Sequence, residues 1–206
     1  MGSDQKEHWQ TVYQTKAPTE TSWYQPVPQR SLEWIHAAGL PPASPILDAG
    51  GGASTLVDHL LGASFPDVTV LDIAPASLAA AKVRLGAMAA RVQWIEADVT
   101  AWQPARRYGL WHDRAVFHFL VDSMLRARYV DVLRSALVRG GHAMIATFGP
   151  DGPQRCSGLA VRRYSADELC AVLGPSFHLV RSQIETHITP GGITQQFLYG
   201  WWQAEA

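Results

Sequence analysis

From Pro45 onward the chain alternates short apolar runs with helical ones, and this alternation limits the folds open to it. "PILDA", "DVTVLDI", "RVQWIEADV", "YGLWHDR" and "HAMIATF" read as strands. "STLVDHLLG", opened by Ser54 and closed by Gly62, reads as a helix, as do "PASLAAAKVRLGA" and "DSMLRARYVDVLRSALVRGG", the last running to its two glycines. "SADELCAVLG" adds a helix with Ser165 and Glu168 spaced as a capping box. Strands that alternate with helices pair in parallel, with helices on both faces of the sheet. The last two strands, "FHLVRSQIETHI" and "ITQQFLYGWW", break the rule. Only "TPGG" joins them, which is too short for a crossover, so they pair antiparallel. The expected class is α/β, a doubly wound and mostly parallel sheet that ends in an antiparallel hairpin.

The domain is expected over residues 29–206, opening with a helix at "QRSLEWIHAAG". Residues 1–28 form an extension with one short helix near residues 5–14. With 206 residues and 47% hydrophobic content, the chain can bury one sizeable core. The formal net charge of -1 gives no positive field for non-specific nucleic-acid binding. Two cysteines, Cys156 and Cys170, make no disulfide framework and point to reduced thiols in the cytoplasm. The polar start "MGSDQKEHWQ" is no signal peptide, and no apolar run approaches membrane-spanning length. The histidines show no metal-ligand spacing, so no metal is expected.

The stretch "ILDAGGGAST" ends the first strand at Asp48 and turns on Gly50, Gly51 and Gly52. Such a turn admits positive φ and lets a ligand lie against the backbone, and the helix that follows offers free N–H groups. A tight turn with no ligand is the plainer reading. A dinucleotide fingerprint needs a third glycine where Thr55 stands, and a P-loop needs Gly-Lys-Ser/Thr. Three acids follow the strands in order: Asp48, Asp72 and Asp98. Asp72 is placed to accept from ribose hydroxyls, Asp98 from an adenine amino group, and Asp48 to hold an ammonium. A ligand with an ammonium, a ribose and an adenine but no phosphate fits the set, and S-adenosylmethionine (SAM) is one.

From Ile46 to about Trp202, roughly three quarters of the chain, the sequence resembles the class I SAM-dependent methyltransferases, small bacterial-type members among them. "ILDAGGGAST" is similar to their first motif, "VLDIA" to the second and "EADVT" to the third. The resemblance implies a seven-stranded sheet of order 3-2-1-4-5-7-6, SAM as cofactor and S-adenosylhomocysteine (SAH) as product. It also implies that Gly50, Gly52 and Ser54 line the methionine end, that Ile73 and Val99 flank adenine, and that Ser77 belongs to the cofactor site. Small members carry an N-terminal aromatic lid, which here would be Trp9, Tyr13, Trp23, Tyr24 and Gln25. A cation such as a sulfonium gives such a lid a physical reason; stapling the extension to the core is the alternative. One departure stands at Gly51, where the family usually shows a bulkier residue or Cys. Glycine there is expected to leave the turn roomier.

Methyl transfer needs a positioned and desolvated nucleophile, and only sometimes a base. The fourth strand ends in "HDRAVFHFLVD". His112 is expected to be structural, and Asp113, Arg114 and His118 are the catalytic candidates. His118 can orient or deprotonate an acceptor, or be a packed histidine. Arg114 can hold an anionic acceptor, or pair with Asp113. No Asn/Asp-Pro-Pro-Tyr/Phe run of the nucleobase and glutamine methyltransferases is present. The arginine-rich "FGPDGPQRCSGLAVRRYS" favours an anionic acceptor or a thiol, with Cys156 either near the acceptor or merely a small loop residue. The leading reading is methyl transfer to O, N or S of a small molecule, with no nucleic-acid or membrane partner. A protein lysine is the alternative acceptor, and a non-catalytic SAM- or NAD-binding module the third reading.

Overall fold

The computed structural model describes residues 3–205. Helix α1 (Ser3–Thr15) and helix α2 (Gln29–Ala37) precede the sheet. Then follow β1 (Ile46–Ala49), α3 (Leu56–Gly62), β2 (Val68–Asp72), α4 (Pro75–Leu85), β3 (Val92–Glu96) and β4 (Tyr108–Arg114). The chain continues through α5 (Ser123–Ala136), β5 (Leu137–Phe148), the two-residue strands β6 (Arg155–Cys156) and β7 (Leu159–Ala160), α6 (Ala166–Leu173), β8 (Phe177–Ile188) and β9 (Thr194–Ala204). The main sheet runs β3-β2-β1-β4-β5-β9-β8, with β6 and β7 paired separately. Without that small hairpin the order is 3-2-1-4-5-7-6, as the sequence resemblance implies. β8 and β9 are antiparallel to each other, and β9 is antiparallel to β5. No helix among the described residues is long and apolar enough to cross a membrane.

The sheet separates two apolar layers. On one face Ile46, Val68, Val70, Leu110 and Met144 pack with Trp34, Ile35, Leu56 and Leu60. On the other, Leu47, Leu71, Trp111 and Ile145 pack with Tyr129, Leu133 and Leu169. Because strand side chains alternate, Asp48 shares the first face with His112, its register partner on β4, while Asp113 points to the second. α6 starts on the expected capping box. Ser165 Oγ accepts from Glu168 N–H at 3.2 Å, and Ser165 N–H donates to Glu168 Oε2 at 2.8 Å.

The long helix expected to reach Gly141 ends at Ala136 instead. Leu137, nearly fully buried, already pairs with Tyr108 as the first residue of β5. The two glycines are not a helix stop. Gly140 (φ +70°) and Gly141 lie at a register shift, where a Cβ on Gly141 would come within 2.9 Å of the Val138 carbonyl oxygen.

Candidate functional site

The glycine turn lies at the carboxyl end of β1, against β2 and the start of the β4 exit loop. Gly50 (φ +69°) donates its N–H to Leu71 O at 2.6 Å, and a Cβ there would fall 1.9 Å from Val116 Cγ2. A Cβ on Gly52 (φ +39°) would meet Asp72 Oδ2 at 2.5 Å and Ser77 Oγ at 2.9 Å. Both positions need glycine for space and for backbone conformation. The roomier turn expected at Gly51 is not found. A Cβ there would meet Asp48 Oδ2 at 2.4 Å and Val70 Cγ1 at 3.0 Å, so the Asp48 carboxylate takes up the room.

Two adjoining cavities lie over this turn. The first is lined by Asp72, Ile73, Ala97 and Val99 at the ends of β2 and β3, by Ala115, Val116 and Phe119 after β4, and by Trp9, Tyr13 and Trp23 from the N-terminal segment. The second is lined by Asp48, Gly51, Ser54, Thr55 and His112 below and by Thr21, Trp23, Tyr24, Gln25 and Pro28 above. Tyr13, Trp23, Gly50 and Arg114 line both. The aromatic groups touch edge to face: Trp9 lies 4.9 Å from Phe119 and 5.7 Å from Trp23 by ring centroids.

The segment between α1 and α2 is tied down through its main-chain carbonyls. Arg114 Nη1 donates to Trp23 O at 2.7 Å and Thr55 Oγ1 to Gln25 O at 2.8 Å. His187 Nε2 lies 2.8 Å from Ser22 O, and His59 Nε2 lies 3.1 Å from Pro26 O. Trp9 and Val12 of α1 are buried in the same core as α2 and α3.

Asp72 is buried, and one oxygen accepts from Ala74 N–H at 2.8 Å at the start of α4. Burial raises its pKa to about 6, against the backbone and Ser77 hydrogen bonds that lower it. Ser77 is fully buried, donates to Ala74 O at 2.8 Å, lines neither cavity and supports Asp72. Ser54 Oγ accepts from Leu56 N–H at 3.1 Å. Asp98 departs from expectation. It lines neither cavity, and one carboxylate oxygen accepts from both the N–H and the hydroxyl of Thr100 at 2.8 Å. A short acid after a strand here closes its own turn; its neighbours Ala97 and Val99 are the ones that wall the cavity.

The catalytic candidates separate. Asp113, fully buried, points away from both cavities toward α5. It accepts from Tyr129 O–H at 2.6 Å and Val116 N–H at 2.9 Å, and Trp111 Nε1 donates to the same tyrosine oxygen at 2.9 Å. Burial lifts its pKa to about 6. His118 is also fully buried and lines neither cavity. Its Nδ1 accepts from Phe148 N–H at 3.1 Å, its ring packs 4.6 Å from Phe148, and burial beside Arg114 lowers its pKa to about 3. The imidazole is neutral near pH 7, with its one proton on Nε2 because Nδ1 accepts, and it lies outside both cavity linings as a packed histidine would. Arg114 alone stays at the cavities. It does not pair with Asp113, because successive residues of a strand face opposite ways. Its guanidinium stacks 4.6 Å from the Phe197 ring, Nε donates to Tyr199 Oη at 2.8 Å, and Nη2 is buried with no partner. Ala115 follows at φ +72°, a left-handed turn that costs a non-glycine residue about 1 kcal/mol and carries the chain off the strand. Cys156 is buried in the core beside Ser22, its thiol pushed up to about 11 by burial.

Sequence reasoning treated His112 as structural only. The structure sets its Nδ1 2.7 Å from Asp48 Oδ1 and its Nε2 2.8 Å from Ser31 Oγ, with Asp48 Oδ2 buried and unpartnered. The signal was available in strand register: β1 and β4 are neighbours, and Asp48 and His112 are register partners on the same face.

Comparisons with known proteins agree with this geometry. Residues 46–141 match the family described as a methyltransferase domain. No curated protein matches the chain by sequence. Among solved structures, a SAM-dependent methyltransferase from Anabaena variabilis is 15% identical, with 98% of this chain and 93% of that one covered at a TM-score of 0.76. A protein solved in work on the conversion of a disulfide bond into a thioacetal group during echinomycin biosynthesis is 20% identical, covering 97% and 93% at 0.76. The 1,6-didemethyltoxoflavin-N1-methyltransferase of Burkholderia thailandensis, solved with its acceptor and SAH, is 20% identical, covering 98% and 85% at 0.69. The seven-stranded sheet therefore has the class I methyltransferase fold, and residues 46–141, which hold the glycine turn at the end of β1, match a methyltransferase domain.

Proposed function

We propose that this enzyme methylates a small molecule whose nucleophile, a nitrogen or a sulfur with a free lone pair, needs no base from the protein. The carrying observation is the lining of the first cavity. Around Ala115 and Val116 it offers Trp9, Trp23 and Phe119, while the two expected acid–base groups, Asp113 and His118, face elsewhere. SAM, when bound, supplies a methyl group on a sulfonium. The chain's part is to hold it and keep water out. Asp72 accepts from the ribose hydroxyls, Ile73, Ala97 and Val99 wall the adenine, and Gly50, Gly51, Gly52, Ser54 and Asp48 form the floor of the methionine end. Those residues suit that group: the Gly52 cradle would be filled by a Cβ, and the Asp48 Oδ2 atom is an orphaned anion in want of a cation.

Residues 1–28 act as the lid, with Trp9, Tyr13 and Trp23 excluding water and flanking the acceptor. A flat, weakly polar acceptor suits this wall, and the Burkholderia neighbour is solved with 1,6-didemethyltoxoflavin. A protein-lysine acceptor would call for acidic residues beside the methyl group, and the side chain at the end of β4 is Arg114. The test is an acceptor screen read by SAH release. Heteroaromatic amines and thiols are expected to turn over while matched alcohols do not. Alcohols as the best acceptors would refute the base-free reading.

A further inference from the structure

The main sheet has two open edges, and they are not alike. At one, β3 is five residues long, Lys82 lies 5.4 Å over the Trp94 ring and Glu96 is bridged to Lys6, so the edge is short and charged. At the other, β8 runs for twelve residues with no strand beyond it among the described residues. Of the eleven large hydrophobic residues exposed among the described residues, five lie on β8 and the turn after it: Leu179, Val180, Ile184, Ile188 and Ile193. Apolar surface therefore collects on the edge that is long enough to take another strand.

The ladder fixes which backbone groups point outward. Thr189 N–H donates to Ile193 O at 2.9 Å, so by antiparallel alternation Arg181, Gln183, Glu185 and His187 turn their N–H and C=O groups to β9, while Ser182, Ile184 and Thr186 turn theirs away from the sheet. A bulge between Leu179 and Arg181 ends the regular stretch. The run Arg181–Glu185, reading Arg-Ser-Gln-Ile-Glu, is its own antiparallel complement. A two-fold axis through Gln183, normal to the sheet, sets Arg181 opposite the partner's Glu185 and Glu185 opposite the partner's Arg181. It also joins Ser182 to the partner's Ile184 through their outward groups. An axis through Arg181 or Glu185 would set like charges against each other, and one through Ser182 or Ile184 would pair neither charge with its opposite. Both charged side chains are already held by α2: Glu185 Oε2 accepts from Arg30 Nε at 3.2 Å, and the Arg181 guanidinium stacks 5.6 Å from the Trp34 ring. Side chains fixed before contact lose little entropy on making it. On the opposite face the two Ile184 side chains fall diagonal to each other and bury one another.

We propose that the edge of β8 is a homodimer interface, where the β8 strand of a second copy pairs antiparallel about Gln183 and the two seven-stranded sheets continue as one. Such an interface is isologous and closes on itself, and it removes the open edge from both copies. It also braces the site, since His187 on the same strand lies 2.8 Å from Ser22 O in the segment over the cavities.

The experiment is sedimentation velocity on the full chain at micromolar concentrations. Wild type is expected to sediment with twice the mass of one chain. Arg181→Glu and Glu185→Arg should each weaken self-association about tenfold or more, because each sets like charges opposite one another. Mixed in equal amounts, the two variants should regain the dimer, since every acidic strand then faces a basic one. Ser182→Pro deletes an outward N–H that β9 does not use, and should give a monomer that melts within a few degrees of wild type. A monomeric wild type, a dimer indifferent to all three substitutions, or a mixture of the charge variants that stays monomeric would overturn the proposal.

Discussion

Gly51→Ala isolates one collision. The backbone at Gly51 needs no left-handed conformation, so the added methyl costs nothing there. Its cost comes from Asp48, whose Oδ2 and Cγ would lie 2.4 and 2.6 Å from the new carbon. The carboxylate can escape only by rotating, and rotation breaks its 2.7 Å contact with His112. That pair is almost wholly shielded, with side-chain exposures of 5% and 3%. A hydrogen bond to a charged group contributes about 1.5–3 kcal/mol, and the stranded imidazole N–H adds about 1–3 kcal/mol. A total near 3 kcal/mol lowers the melting temperature of a domain this size by about 6–12 °C. In an Asp48→Ala background the methyl meets only Val70 Cγ1 at 3.0 Å, and the same substitution should cost under about 1 kcal/mol. Denaturant unfolding of the four proteins in the cycle gives the coupling, expected at about 2 kcal/mol. Equal cost in both backgrounds would show that the carboxylate is not what fills the space beside Gly51.

Three further outcomes are expected. His118→Ala removes a packed ring and strands the Phe148 N–H; stability should fall by about 2–4 kcal/mol, while kcat at a temperature where the variant is folded stays within a few-fold of wild type. A hundredfold loss of turnover would restore the base reading. Asp113→Asn keeps the shape of the Tyr129 network and removes its charge; thermal melting should show about 1–2 kcal/mol of destabilisation, with SAH affinity unchanged. SAH affinity should also fall about tenfold from pH 7 to pH 5, because Asp72, with a pKa of about 6, takes up a proton over that range and must give it up to accept from two ribose hydroxyls. Asp72→Asn should flatten the profile, and a flat wild-type titration would remove Asp72 from the ribose.

Periodicity was enough to place the seven strands of the main sheet and the terminal hairpin, though not the short β6–β7 pair, because a parallel sheet buried on both faces writes itself as apolar runs between amphipathic ones. It failed at Leu137. Helix and strand both accept "ALV", and the choice fell to pairing with Tyr108, a contact 29 residues away that no local window contains. The cofactor side was legible through glycine spacing, since the space around Gly50 and Gly52 is set by backbone. The acceptor side was not. "HDRAVFHF" gathers polar residues within eight positions, yet strand alternation and the turn at Ala115 send Asp113, Arg114 and His118 to three different surroundings. Asp98 stands outside both cavity linings for a related reason: a carboxylate two residues before a threonine closes its own turn. His112 became informative only beside Asp48 and Ser31, residues 64 and 81 positions away.

The segment that roofs the cavities is held by its carbonyl oxygens, those of Ser22, Trp23, Gln25 and Pro26, against side chains of the scaffold. Every residue type brings the same carbonyl. These four hydrogen bonds are therefore indifferent to the spelling of the segment: rewriting the letters at Tyr24 and Gln25 leaves every one of them in place, whereas Trp23 also packs its ring on Trp9 and Tyr13.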